Sequence, residues 1–120
     1  METNKIKQTD LTYLKELSNG SNEFIVEMIT VFVEQTPLEI ANMEKHLAAG
    51  DWKSLRATAH KMKPSFSFMG IKELEGVIKT IEDYAANEKN LDLLPGLILK
   101  VKEVCTQAIE ELVQEKPQFL

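Results

Sequence analysis

Apolar residues recur at every third or fourth position along most of the chain, which is the spacing of one face of an α-helix. The predicted helices cover residues 10–17, 22–50, 51–69, 71–86 and 91–115. No useful length of chain alternates apolar and polar residues, so we expect no β-sheet. Four sizeable amphipathic helices joined by short turns predict an all-α protein, an antiparallel up-and-down four-helix bundle with a short extra N-terminal helix. The length of 120 residues fits one domain, 1–120.

Two prolines lie within the predicted helices. Thr36-Pro37-Leu38-Glu39 has the form of a capping box with proline at the first helical position, so we expect the second helix to kink or restart there. Pro64 removes a backbone donor and crowds the carbonyl of His60, at a cost of roughly 3 kcal/mol in a helix interior. Pro64 is either a kink that lets the helix follow the bundle or a local strain that marks function. The apolar pattern leaves both readings open.

The third helix carries two distinct stripes. Its apolar stripe contains Leu55, Ala59, Met62, Phe66 and Met69. Its second stripe, turned toward solvent, contains Lys53, Arg56, His60, Lys63 and Ser67. Residues 51–70 hold four basic residues and one acid, a sum of +3 in a chain of net charge -5. A basic patch around a histidine on an acidic domain predicts a site for a small anionic group.

Composition excludes several classes of protein. The acidic balance, with a pI of about 5.1, argues against sequence-independent nucleic-acid binding. The single cysteine, Cys105, excludes an internal disulfide and a cysteine-rich zinc site. No Glu-x-x-His pair for a di-iron site and no glycine-rich phosphate loop is present. We therefore expect no metal site and no kinase or ATPase activity.

The apolar segments are too short for a membrane or a secretory leader. Residues 1–20 lack an apolar stretch of signal-peptide length, and Pro95 and Gly96 break the apolar run at residues 93–99. We expect a cytoplasmic protein that contacts neither membrane nor nucleic acid. The initial Met1 and the polar lead favour a stand-alone protein over a fragment of a hybrid kinase, and we expect a monomer.

The run His60-Lys61-Met62-Lys63-Pro64-Ser65-Phe66-Ser67-Phe68-Met69-Gly70 closely resembles the signature of histidine-containing phosphotransfer (HPt) domains. The signature has a histidine, an apolar residue two positions later, a lysine three later, and small and apolar positions ending in glycine. The resemblance extends over nearly the whole predicted bundle. Pro64 departs from the glycine that is commoner at its position.

The resemblance implies a phosphorelay intermediate rather than an enzyme. His60 would accept a phosphoryl group from the aspartate of a receiver domain in a hybrid histidine kinase and pass it to the aspartate of a response regulator. Lys63 would lie beside the phosphoryl group, and Gly70 would leave room for close approach. No cofactor is implied, since the partner receiver would supply Mg²⁺.

A polar residue from the next helix often completes the site in this family. Lys79, Glu82 and Asp83 lie in roughly the right region, and the sequence does not choose among them. We expect the cations near His60 to keep its imidazole neutral, as a nucleophile must be.

The docking surface for a receiver is expected to combine charge with an apolar contact. Its expected members are Lys53, Arg56, Pro64, Ser67 and Phe68. Phe68 is either an exposed anchor or a residue covered by the first helix or turned inward by the kink.

Two other readings compete with the phosphocarrier. A helical adaptor would bind a kinase or receiver without carrying phosphate, and the pairing of His60 with Lys63 disfavours it. An enzyme has no catalytic set to support it. His46 is interpreted as a structural or surface residue and Cys105 as a small core residue.

Overall fold

The computed structural model describes residues 7–120, and every regular element in that range is helical. The α-helices are α1 (Thr12–Ser18), α2 (Asn22–Ala49), α3 (Trp52–Phe68), α4 (Lys72–Asn87) and α5 (Leu94–Glu115). Short 3-10 segments lie at Leu91–Leu93 and Lys116–Phe119. The all-α prediction is confirmed for the described residues. Among them, no helix is both long and apolar enough to span a bilayer.

The helices α2 and α3 begin at side-chain caps. The hydroxyl of Ser21 accepts a hydrogen bond from the amide of Phe24 at the start of α2, and the carboxylate of Asp51 accepts one from Ser54 at the start of α3. The expected start of the fifth helix at Leu91 is wrong, because its first turn forms the separate 3-10 segment and α5 begins at Leu94.

The first helix also begins later than expected. The Asp10 carboxylate accepts a hydrogen bond from the amide of Thr12 from outside the helix, and α1 begins at Thr12 rather than Asp10.

Both interior prolines lie in continuous helices. The expected restart at Pro37 does not occur, since α2 runs without a break from Asn22 to Ala49. Phe32 and Ile40, near one turn to either side of Pro37, are buried in the core. Burial of both flanks opposes the local cost of proline and holds the two halves of the helix together. Pro64 is likewise inside α3.

The four long helices make a closed set of contacts. α2 packs against α3 and α5, and α4 packs against the same two helices. All members of the predicted apolar stripe of α3 are buried: Leu55, Ala59, Met62, Phe66 and Met69. Cys105 is also buried in the core, and burial raises the pKa of its thiol to about 12. The antiparallel order of the bundle stays a prediction.

The segment before α1 is bound to the end of α5 through one carboxylate. Glu111 accepts hydrogen bonds from the backbone amides of Gln8 and Thr9, at 2.9 Å each, and from the Thr9 hydroxyl at 2.7 Å. The amide of Gln107 donates to the same carboxylate. Burial acts to raise the pKa of Glu111, but the hydrogen bonds outweigh it and lower that pKa.

The same segment crosses the turn between α3 and α4. The amide of Asp10 donates to the carbonyl of Met69 at 3.0 Å. Gly70 has a φ of +65°, and a β-carbon there would collide with the carbonyl oxygen of Asp10. The close approach at Gly70 is thus made by the chain's own N-terminal segment.

Candidate functional site

His60 lies in the middle of α3, on the side that faces solvent. Its side chain is 69% exposed, while Ala59 and Met62 beside it are buried. The helical repeat therefore places the imidazole outside the core, where another molecule can reach it.

A carboxylate from the neighbouring helix holds the imidazole. Oε2 of Glu82, on α4, lies 2.7 Å from Nδ1 of His60. Only 10% of the Glu82 side chain is exposed. An ionised carboxylate only accepts hydrogen bonds, so this contact assigns the proton of a neutral ring to Nδ1. Nε2 is then the nitrogen with a free lone pair.

Lys63 binds the second oxygen of the same carboxylate. Its ammonium nitrogen lies 2.9 Å from Oε1 of Glu82, and its side chain is 35% exposed. The hydrogen bond from Lys63 lowers the pKa of Glu82, burial opposes this shift, and the hydrogen bond from His60 adds to it. Glu82 is therefore ionised at neutral pH and bridges the histidine and the lysine of the motif.

The structure selects one of the three candidates on the fourth helix. Lys79 and Asp83 pair with each other at 3.5 Å on the surface of α4. Glu82 instead lies on the buried side of that helix, four residues after Ile78 and three before Ala85. A carboxylate in a row of apolar positions was the sequence signal that could have identified Glu82.

Three further residues of the predicted basic stripe, and Pro64 of the predicted docking surface, share the exposed face of α3 with His60. Lys53, Arg56, Pro64 and Ser67 are all exposed. Within residues 7–120, neither Lys53 nor Arg56 forms an ion pair. Lys53 and Arg56 are thus exposed cations on the same helix as the imidazole and remain available to a partner.

A scan against protein-family models matches the Hpt domain over residues 27–115. The chain belongs to the Hpt domain family. The match covers most of the chain and includes α3 with its histidine motif, and α4 with Glu82.

A solved structure is similar over nearly the whole chain. The crystal structure of histidine-containing phosphotransfer protein B (HptB) from Pseudomonas aeruginosa PAO1 superposes with a TM-score of 0.85 at 25% sequence identity. The similarity covers 95% of this chain and 98% of that protein. A search of curated proteins gives no significant match.

The electrostatic expectation for this Hpt domain was incomplete. Cations were expected near the imidazole, but the group in direct contact with the ring is the carboxylate of Glu82. Lys63 contacts the carboxylate's other oxygen rather than the ring. The ring therefore contacts the anionic member of the ion pair between Glu82 and Lys63.

Phe68 of the Hpt domain is partly covered by the first helix. Its ring stacks on that of Tyr13 from α1, with centroids 6.2 Å apart and planes within 7°. Tyr13 itself is 49% exposed. Phe68 also lines a groove of about 210 Å³ between α2 and α3, with Met28 and Val31 among its other apolar walls. The first helix thus covers part of Phe68, and the aromatic pair that it forms with Tyr13 is still partly exposed.

An ion pair also lines the groove. Lys61 lies 2.8 Å from Glu39 of α2. Lys61 and Lys63, two positions apart in the motif, therefore face different neighbours, Lys61 toward α2 and Lys63 toward α4. Within residues 7–120 there is no group of three or more His, Cys, Asp or Glu side chains that could hold a metal ion.

Proposed function

We propose that this Hpt domain is a phosphorelay intermediate that carries a phosphoryl group on Nε2 of His60. The observation that carries the proposal is an exposed imidazole whose Nδ1 is held by a carboxylate. Such a ring presents one nucleophilic nitrogen in a fixed orientation to an incoming partner. The similar HptB structure is of a histidine-containing phosphotransfer protein, which agrees with this role.

The proposed transfer is a displacement at phosphorus. The Nε2 lone pair forms a bond to the phosphorus of an aspartyl phosphate, and the bond from phosphorus to the aspartate oxygen breaks with its electrons on that oxygen. Donation to a second aspartate is the same step in reverse. The proposal assigns Mg²⁺ and both aspartates to the receiver domains.

Lys63 is proposed to stabilise the phosphoryl group. Its ammonium group has three hydrogen-bond donors, and Glu82 is the carboxylate that it contacts. Because the lysine is partly exposed, it can turn toward a phosphoryl oxygen on His60 while it stays near α4.

The proposed partners are the receiver domains of a hybrid histidine kinase and of a response regulator. The proposed docking surface consists of the exposed α3 residues Lys53, Arg56, Pro64 and Ser67 together with the partly covered Phe68. Cationic side chains here match the acidic pocket expected of a receiver, and the Phe68 ring offers an apolar contact. We further propose a monomeric, cytoplasmic carrier without kinase or ATPase activity.

The test is incubation with a phosphorylated receiver domain, followed by a search for acid-labile label on this chain. We expect His60→Gln to remove the label while the helical signal and melting temperature stay nearly unchanged, because the side chain is largely exposed. His46→Gln is the matched control and should leave labelling intact. Undiminished labelling of His60→Gln would contradict the proposal. Binding of the receiver without any label would support an adaptor instead.

A further inference from the structure

We propose that the negative charge of Glu82, beyond its hydrogen bonds, makes phosphorylated His60 a ready donor, so that Glu82 sets how fast the phosphoryl group is passed on. This inference rests on the phosphocarrier function proposed above. It concerns a positioning residue, since Glu82 contacts the imidazole on the side away from the reacting nitrogen.

The Glu82 carboxylate makes two contacts, one with each of its oxygens. Oε2 lies 2.7 Å from Nδ1 of His60, and Oε1 lies 2.9 Å from the ammonium of Lys63. Glu82 is largely screened from water by the packing of α3 against α4, which strengthens both interactions. A change in the charge of the ring or in the position of Lys63 therefore alters the interactions of the same carboxylate.

Phosphorylation places a positive charge on the ring. When Nε2 bonds to phosphorus and Nδ1 keeps its proton, the imidazole is cationic. The adjacent carboxylate stabilises that cation and retains the proton. In the donation step the N–P bond breaks and its electron pair returns to Nε2. That step is easier from a cationic ring, because a neutral imidazole is the leaving group. No proton has to move.

The second contact acts in the same direction. A dianionic phosphoryl group competes with Glu82 for the Lys63 ammonium. While Glu82 holds part of that interaction, the phosphoryl group is bound less tightly than by a free lysine. The first contact thus keeps the ring in the protonated form that donates, and the second limits how tightly Lys63 holds the phosphoryl group.

The charged groups around the ring are few. Glu82 faces it from α4, Lys63 and Arg56 lie on its own helix, and on the α2 side Glu39 is engaged by Lys61. Because no second carboxylate contacts the ring within residues 7–120, replacement of Glu82 removes the negative charge at the ring and releases Lys63 at the same time.

The test compares Glu82→Gln with Asp83→Asn. A glutamine oxygen still accepts the Nδ1–H bond and keeps the ring oriented, but it has no charge. Asp83→Asn removes one carboxylate from the adjacent, half-exposed surface position. We expect Glu82→Gln to slow donation to an unphosphorylated receiver and to lengthen the phosphohistidine lifetime, each by about tenfold, or about 1.4 kcal/mol in barrier. Asp83→Asn should match the parent protein.

Opposite outcomes separate this inference from the proposed function. If the donation rate and the decay rate of phosphorylated Glu82→Gln lie within twofold of the parent protein's, or are faster, the inference is overturned. Labelling that depends on His60 would still support the proposed phosphocarrier. If the parent protein is never labelled, the proposed function fails first. A merely structural Glu82 would lower the melting temperature and leave both rates of the folded protein unchanged.

A second measurement needs no variant and decides the matter if Glu82→Gln does not fold. In the native phosphoprotein, ring ¹⁵N signals should show a protonated Nδ1 at a pH where the urea-unfolded phosphoprotein has lost that proton. Loss of the proton at the same pH in both states would overturn the inference.

Discussion

Glu82 and Glu111 are two partly covered carboxylates with lowered pKa values, yet their partners differ in kind. Glu111 on α5 accepts from backbone amides, a hydroxyl and a side-chain amide, all of them neutral. Glu82 on α4 accepts from an exposed imidazole and an ammonium group. Glu111 thus binds the segment before α1 to the bundle. Glu82 holds the solvent-facing side chains of His60 and Lys63 in place.

The difference shows how one residue type serves structure or chemistry. A carboxylate that accepts hydrogen bonds from backbone amides loses them only if the chain moves. Those hydrogen bonds therefore contribute to the stability of the fold. A carboxylate satisfied by titratable, solvent-facing groups responds when those groups react. If the two roles are independent, the surroundings of Glu111 and of Glu82 can be perturbed separately.

The largest effect on folding is expected at Gly70, where the N-terminal segment crosses α3 and α4. Gly70→Ala should lower the free energy of unfolding by about 3 kcal/mol, because the left-handed backbone and the collision with the Asp10 carbonyl both oppose a β-carbon. Denaturant titration measures this change.

Gly50→Ala is the matched control for Gly70→Ala. Gly50 has a similar φ of +67°, but a β-carbon there would meet only a Trp52 side-chain atom at 3.9 Å. We expect a cost of about 1 kcal/mol from the backbone alone. Equal losses in both variants would mean that the Asp10 contact is not rigid. A loss of labelling by folded Gly70→Ala would show that a partner also needs this glycine.

The next effect is expected at Glu111. Glu111→Gln should cost about 2 kcal/mol at pH 7, because its NH₂ group would face donors that now have an acceptor. Phosphoryl labelling should stay unchanged. Glu110→Gln, at an exposed neighbouring position, removes the same charge and should cost little.

The pH dependence of the Glu111 effect follows from the direction of its pKa shift. The pKa of Glu111 is lower in the folded chain than in the unfolded chain, so the ionised carboxylate stabilises the fold above about pH 4.3. That contribution is lost as the pH falls through the folded pKa. The stability difference between the parent and Glu111→Gln should therefore shrink on acidification below about pH 4. A difference that grew on acidification would show that the sign of the pKa shift is wrong.

At the other carboxylate, Lys63→Ala should change chemistry more than folding. An ammonium about 4 Å from a phosphoryl charge contributes about 1–4 kcal/mol depending on the effective dielectric constant, so we expect transfer to slow or the phosphohistidine lifetime to fall by about tenfold. Lys61→Ala is the control, since Lys61 pairs with Glu39 instead. Parental rates and lifetime in Lys63→Ala would make Lys63 only a solvated charge.

The smallest effect is expected at Arg56, which contributes to the field around the site without an ion pair in the described chain. Arg56→Glu should lower the rate of association with a receiver a few-fold at low salt, and the effect should fade as salt screens it. Stopped-flow measurements at several ionic strengths test this, with Lys89→Glu in the loop after α4 as a control. Equal effects of the two variants would indicate overall charge rather than a local surface.

Much of the fold could be predicted because burial on helices is periodic. The apolar stripe of α3 and the exposure of His60 both follow from spacing along one helix, with no knowledge of its neighbours. The caps at Ser21 and Asp51 are equally local, since each side chain binds an amide three residues later.

Contacts between distant parts of the chain left no such signal. Gln8 and Glu111 are separated by 103 positions, and the donors are backbone amides that every sequence has. The choice of Glu82 over Lys79 and Asp83 depends on how α4 lies against α3. Residue type narrowed that site to a short stretch of α4, and only packing decided which carboxylate reaches the imidazole.

The buried thiol of Cys105 makes the protein convenient to tag. With its sulfur inside the core and a pKa of about 12, it carries almost no reactive thiolate at neutral pH. A cysteine introduced at exposed Ser67 would then be the one thiol in the chain that a maleimide dye modifies readily. A fluorophore attached there would sit one turn beyond Lys63 and report each encounter with a receiver, without removal of the native cysteine.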